Sequence, residues 1–203
     1  MNILLMFGMV FYTSLCVAEE NWQLAQDEDD IRIYTKPNAK TMLKDFKADM
    51  VIQASIERVN SHMSTMEDQT KWMYDRKLTK VLDRPNDRSS IIYSVTNAPW
   101  PVMDRDAVIS FTYHENNTDE FIRIDVVNVD DYYPLNNGMV RVPYLKGFWE
   151  LIKIDDNSTK IIFMNAASPG GDIPDWLADS FVLDMPYHSL NNFRNMLKKT
   201  DKE

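Results

Sequence analysis

One cysteine, three histidines and five glycines in 203 residues leave this chain without the means for several chemistries. Cys16 falls in an N-terminal run expected to be removed, so the mature protein is expected to hold neither a disulfide nor a thiol nucleophile. His62, His114 and His188 are too far apart for metal-ligand spacing, and no metal site is expected. So few glycines exclude a low-complexity or collagen-like chain. There is no G-x-S-x-G elbow, H-E-x-x-H pair, phosphate-binding loop or dinucleotide fingerprint, which argues against a hydrolase, a zinc enzyme and a nucleotide enzyme. No catalytic residue and no cofactor is expected. Positive charge is also short: 22 Lys and Arg against 31 Asp and Glu give a formal net charge of -9. That balance disfavours nucleic acid and anionic membrane as primary partners.

Charged side chains are missing altogether from Met1 to Ala18. An apolar run from Ile3 to Phe11, small residues at Cys16 and Ala18, and then Glu19-Glu20 read as a secretory signal over 1–18, although a basic leader is absent. The run is short for a bilayer span. The remainder, 19–203, is expected to form one extracytoplasmic domain, periplasmic or secreted and monomeric, with a 44% hydrophobic fraction that suits a globular core.

From Trp22 onward, alternation and turn chemistry predict an antiparallel meander. Two short strands, Trp22 to Gln26 and Ile31 to Thr35, flank the acidic turn Asp27 to Asp30. A third is expected over about Met42 to Ile52. A helix over Ser55 to Met66 follows, capped by Ser55, with Ile56, Val59, Met63 and Met66 on one stripe. Glu67 to Leu78 has no clean period and is read as a short helix and loop. Further strands are expected at Lys77 to Leu82, Ser89 to Thr96, Asp106 to His114, Phe121 to Val129, Phe148 to Ile154 and Thr159 to Ala167. Arg84-Pro85-Asn86-Asp87 is read as a turn between two of them. The breaker Ser168-Pro169-Gly170-Gly171-Asp172-Ile173-Pro174 opens one long C-terminal helix. Its apolar stripe runs from Trp176 and Leu177 to Met196 and Leu197, and Pro186 is expected to kink it.

The sharpest functional signal lies in Ala98 to Tyr113. Alternation puts Arg105, Ala107, Ile109, Phe111 and Tyr113 on one strand face, so a single guanidinium sits on an otherwise apolar surface. An unpaired guanidinium in a packed core costs several kcal/mol. Snorkelling to water, an ion pair with a neighbouring carboxylate, or a cavity whose occupant accepts hydrogen bonds would each resolve the conflict. A wide curved sheet under a long helix leaves space in its middle that must be packed or occupied.

In order along the chain, Trp22 with Asp27 to Tyr34, Lys71-Trp72-Met73, Tyr93, Ala98-Pro99-Trp100-Pro101, Arg105-Asp106-x-Val108, Val140-Arg141, Gly147-x-Trp149-x-Leu151 and Pro169-Gly170-Gly171-x-Ile173-Pro174-x-Trp176-Leu177 form a recognisable set. The set resembles the steroidogenic acute regulatory protein-related lipid transfer (START) domains, particularly bacterial secreted members, over nearly all of 19–203. The resemblance implies an α+β helix-grip fold, START / Bet v 1-like. In that fold a curved antiparallel β-sheet wraps round a long C-terminal α-helix and encloses a hydrophobic cavity. It implies lipid binding and transfer rather than catalysis. The family's arginine in the Arg-Asp motif faces the cavity, which agrees with the alternation at Arg105. Asn165-Ala166-Ala167-Ser168 departs from similar bacterial sequences, which carry a His and an Asp at Ala166 and Ser168, and Asn165 is left as the polar substitute.

The expected function is binding and transfer of one lipid, sterol-like or isoprenoid molecule, with Arg105 orienting its hydroxyl, carbonyl or headgroup. Expected walls are Ala107, Ile109, Phe111, Tyr113, Ile122, Ile124, Trp149, Leu151, Met164 and Asn165, and from the helix Trp176, Phe181, Met185 and Leu190. Flexible thioethers at Met164 and Met185 suit a pocket that moulds to its occupant. Exchange is expected to need movement of the C-terminal helix or of the Pro134 to Gly138 loop, with transient membrane contact. The alternative on the same fold is a cyclase- or aromatase-like enzyme in which Arg105, with Tyr113 or Asn165, polarises a ketone.

Overall fold

A computed structural model describes residues 21–41, 43–114, 116–129, 132–171 and 173–200. The signal expected over 1–18, with Cys16, lies outside the described residues, as does the side chain of Trp176. Ten strands form one curved sheet: β1 (Gln23–Glu28), β2 (Ile31–Pro37), β3 (Lys44–Ile52), β4 (Arg76–Asn86), β5 (Ser89–Thr96), β6 (Arg105–Tyr113), β7 (Phe121–Asn128), β8 (Val140–Arg141), β9 (Tyr144–Asp155) and β10 (Ser158–Ser168). Their spatial order is β1-β2-β3-β10-β9-β7-β6-β5-β4, antiparallel throughout, with the short β8 added in parallel to β6.

The helices are α1 (Ile56–Ser64), α2 (Gln69–Trp72), α3 (Asp175–Asp179) and α4 (Met185–Thr200). A 3₁₀ turn, Met66–Asp68, leads into α2, and a π-helical turn, Ser180–Asp184, joins α3 to α4 in one continuous C-terminal helix. Among the described residues no helix is long and apolar enough to cross a membrane.

Local chemistry accounts for most boundaries. Ser55 caps α1 by accepting the Arg58 N–H, and Ile56, Val59 and Met63 bury one face of that helix. Asp29 and Asp30 take φ of 52° and 60°, the paired left-handed geometry that turns β1 tightly into β2. The turn expected at Arg84 to Asp87 is instead strand as far as Asn86. β4 is the outermost strand, so Pro85 can sit in it without breaking the ladder on both sides.

The expected kink at Pro186 takes the form of the π turn just before it. Proline offers no N–H to the preceding turn, and the Met185 N–H bonds back to the Ser180 carbonyl across the wider loop.

The core divides between the two sheet faces. On the inner face α1, α2 and α4 cover a cluster that includes Ile33, Met50, Ile56, Ile124, Leu151, Leu190 and Phe193. On the outer face Ile91, Tyr93, Val95 and Val108 pack beneath Val129, Tyr133 and Met139. That second cluster was not legible from alternation, which left Asp106 and Val108 on a face with no predicted cover. The chain after β7 folds back across the sheet, β8 pairs with β6, and both residues become 1% exposed. Arg141 of β8 meets the Asp106 carboxylate with two hydrogen bonds, Nε at 2.9 Å and Nη2 at 3.0 Å.

Candidate functional site

The inner face is hollow between the sheet and the C-terminal helix. The cavity measures about 130 Å³, counted as room for water centres. A single water needs roughly 10–15 Å³ on that scale. One wall is aromatic. Trp149 stacks on Phe163 at 3.8 Å, Phe163 meets Phe46 edge-on at 4.9 Å, and Trp72 meets Trp149 edge-on at 5.7 Å. Trp72 also leans on Phe193 of α4 at 5.0 Å, so α2 closes one end of the hollow against the long helix. Phe181, Val182 and Met185 line it from the helical side.

Arg105 points into this cavity and is 3% exposed. Its position is fixed by backbone carbonyls: Nη1 donates to Met103 O at 2.6 Å and Nη2 reaches Gly170 O at 3.4 Å. The second carbonyl is presented by the Pro-Gly-Gly corner. Gly170 has φ of +69°, a backbone conformation that favours glycine, and a Cβ there would lie tightly at 3.0 Å from Val140 Cγ1. The remaining nitrogen, Nε, is buried with no partner among the described residues. Burial lowers the guanidinium pKa, with the nearby Asp104 opposing the shift.

The ion pair considered for Arg105 does not form, because its flanking carboxylates are engaged elsewhere. Asp104 accepts the Ala98 N–H at 3.0 Å and meets Lys77 Nζ at 3.0 Å. Burial opposes the Asp104 charge, but these donors outweigh it and hold its pKa below the ordinary value. Asp106 belongs to Arg141 on the other face.

A second arginine in the cavity was missed by sequence reasoning. Arg76 opens β4, lies opposite Thr96 of β5, and Thr96 lies opposite Arg105 of β6. Directly opposed residues on neighbouring strands share a face, so the three form a row across the sheet, and all three line the cavity. Nε and Nη1 of Arg76 are buried with no partner among the described residues. Burial alone pushes its pKa down to about 10, which still leaves it charged at neutral pH. Trp72 Nε1, Gln69 Oε1 and Asn165 Oδ1, all on cavity-lining residues, are likewise buried and unpaired. Native proteins pair the large majority of buried polar groups. Here most of the unpaired ones surround a single cavity.

Of the walls expected from sequence, Arg105, Ala107, Ile109, Phe111, Trp149, Met164, Asn165, Phe181 and Met185 border the cavity. Tyr113, Ile122, Ile124, Leu151 and Leu190 do not, because they pack within or against the filled part of the inner core. Tyr113 donates its hydroxyl to Asn60 Oδ1 of α1 at 3.0 Å, and burial pushes its phenol up to about 12. Residues 134–138 also lie away from the lining. Instead, Pro134 O accepts from Arg141 Nη2. A second hollow of about 410 Å³ on the same scale adjoins the cavity between Asn97 to Pro99 and the π turn, and shares Tyr74, Thr96, Phe181 and Met185 with it. Next to it, Trp100 stands 91% exposed. Among the described residues, no group of His, Cys, Asp and Glu side chains gathers as a metal site would need.

Comparison with known proteins gives a consistent picture. The START domain family model matches residues 6–202. An uncharacterized protein of Pseudomonas aeruginosa is 31% identical over 180 residues, 89% of this chain and 88% of its own. The solved structure of a STAR-related lipid transfer protein from Xanthomonas axonopodis superposes with a TM-score of 0.78 at 33% identity, covering 87% of this chain and 98% of that one. The phosphatidylcholine transfer protein of Rattus norvegicus is 23% identical over 178 residues, 81% of this chain and 82% of its own.

Proposed function

The chain belongs to the START domain family, and from that premise we propose that it binds one lipid molecule in the inner cavity and carries it through water between membranes. The observation that carries this reading is a partly open, aromatic-walled hollow lined by residues whose buried polar groups have no partner among the described residues. Each buried methylene of a ligand contributes about 0.8 kcal/mol, so a chain of a dozen carbons needs few polar anchors to be retained. Arg105 supplies one such anchor. The names of relatives, lipid transfer and phosphatidylcholine transfer, support the same class of ligand. Of the two partners an enzyme on this fold would offer beside Arg105, Tyr113 is bonded to Asn60 and borders no part of the cavity, while Asn165 lines it.

Exchange runs through the adjoining hollow beside Asn97 to Pro99, with the π turn as the moving wall and exposed Trp100 touching the bilayer during transfer. The uncharged residues 1–18 support an extracytoplasmic setting, and the protein acts there as a monomer.

The experiment is native mass spectrometry of the protein purified from its own host, followed by lipid extraction, on wild type and Ala107→Phe. Ala107 is buried at the cavity wall, so a phenyl ring occupies the space a ligand needs. Wild type is expected to retain lipid and the variant to lose at least tenfold of it while keeping its circular dichroism. Equal lipid retention by the two proteins would refute the cavity as the binding site.

A further inference from the structure

The cavity holds more positive charge than one anchor requires. Arg76 and Arg105 stand two strands apart on the same face, separated by Thr96, which at about 4.8 Å per strand puts their Cα atoms roughly 10 Å apart. Side chains of this length can close on one group placed over Thr96. Lys44 lines the same space. The one acidic residue among the lining is Asp106, and Arg141 holds both of its oxygens. Asp75 and Asp184 lie in the adjoining hollow, and neither pairs with Arg76 or Arg105 among the described residues. This excess sits inside a protein whose formal net charge is -9.

From the row Arg76-Thr96-Arg105 we infer that the ligand carries an anionic oxygen group, a lipid phosphate or carboxylate, held between the two guanidinium groups with its apolar chains against the Trp149-Phe163 wall. This rests on the carrier reading above and adds the ligand's chemistry and a second anchoring residue to it.

A neutral hydroxyl or carbonyl fits the site less well. It offers an oxygen that accepts one or two hydrogen bonds and leaves the buried Arg105 and the half-buried Arg76, whose Nε and Nη1 are inaccessible, without countercharge. A phosphate or carboxylate accepts from several N–H groups at once and neutralises charge, and arginine's planar fork matches both. Arg105 is already held by the Met103 and Gly170 carbonyls through Nη1 and Nη2, and its Nε is buried with no partner among the described residues. Arg76 has no such anchor among the described residues, and its burial-lowered pKa is consistent with a cation that lacks countercharge. Thr96 adds a hydroxyl donor between them.

The test incubates ligand-stripped protein with phosphatidylcholine vesicles containing equal parts of palmitic acid, palmitoyl-oleoyl-phosphatidylglycerol, dioleoylglycerol and cholesterol, and phosphatidylcholine retained by the protein is counted, relative to its share of the vesicle, in the phosphate arm. The protein is re-isolated and its bound lipid quantified by mass spectrometry. Wild type is expected to retain palmitate or phosphatidylglycerol at least tenfold over dioleoylglycerol and cholesterol, and the arm that dominates identifies carboxylate or phosphate as the partner. Arg76→Gln is expected to lose that preference at least tenfold while still taking up neutral lipid, and Arg76→Lys to keep part of it. Uptake of neutral lipids equal to the anionic ones by wild type, or an unchanged preference in Arg76→Gln, overturns the anion assignment while leaving the carrier reading intact. Uptake of no lipid of any class overturns both.

Discussion

Arg76→Met is expected to stabilise the ligand-free protein. The guanidinium is pushed down to about 10 by burial, with no carboxylate among the described residues to offset it. At 1.36 kcal/mol per unit, keeping that charge in the folded state costs about 3 kcal/mol. Methionine keeps an unbranched side chain that can pack along the same wall, and removes the charge. Some loss of packing from the shorter chain offsets the gain, so the expected net change is a stabilisation of about 1–3 kcal/mol. For a chain of this size that corresponds to a rise of roughly 2–10 °C in Tm. Urea denaturation of delipidated wild type and variant, analysed by linear extrapolation, measures the difference directly. Arg123→Met is the control, because Arg123 has its countercharges, Asp125 at 2.9 Å and Glu150 at 2.6 Å, in part-buried pairs outside the cavity. Its removal is expected to cost up to about 1 kcal/mol. Should Arg76→Met instead lose 1 kcal/mol or more, Arg76 has a compensating partner and the account of an uncompensated cation is wrong.

Two further predictions concern regions away from the cavity anchors. Arg141→Ala strands the Asp106 carboxylate, 1% exposed, without its cation and is expected to destabilise by about 3–5 kcal/mol in urea; a loss under 1 kcal/mol would contradict the buried-pair reading. Tyr113 has a phenol raised to about 12 in the folded protein, against the ordinary 10. Its contribution is therefore whole below pH 10 and is lost as pH rises toward 12, because the unfolded chain releases a proton that the folded one retains. That amounts to as much as about 3 kcal/mol. Tyr113→Phe is expected to flatten this part of the alkaline limb in a pH series of denaturation curves, and identical slopes in the two proteins would count against burial as the cause.

Sequence patterning located Arg105 and missed Arg76 for one physical reason. β6 keeps strict register through Ala107, Ile109 and Phe111, so alternation read its inner face correctly. β4 opens with a register shift between Arg76 and Leu78 and has others further along, and each shift changes which face a residue takes. The available signal was cross-strand: a basic residue opening the strand whose pairing brings it to Thr96. Alternation also assigns a face without assigning a depth. Ile124 and Leu151 do point inward, but they lie where α1 and α4 fill the space, and period two carries no information about where along a strand the filling stops. The outer cluster was illegible because nothing in β5 or β6 announces that the segment after β7 returns to cover them.

The π turn sets how one helix serves two neighbours. Stepping back along α4, the inward residues Phe193, Leu190, Pro186 and Val182 would lead in an unbroken helix to Asp179, which is exposed. The extra residue in the turn rotates everything before it by about 100°, so the buried position becomes Leu177 and Phe181 faces the hollow. Regular α-helical winding of the full-length segment would turn Asp179 toward the oily interior, whereas deletion of Ser180 or Phe181 would put Leu177 four residues before Val182 and keep it inward without a π turn. The length of that short segment acts as a phase setting for the whole roof.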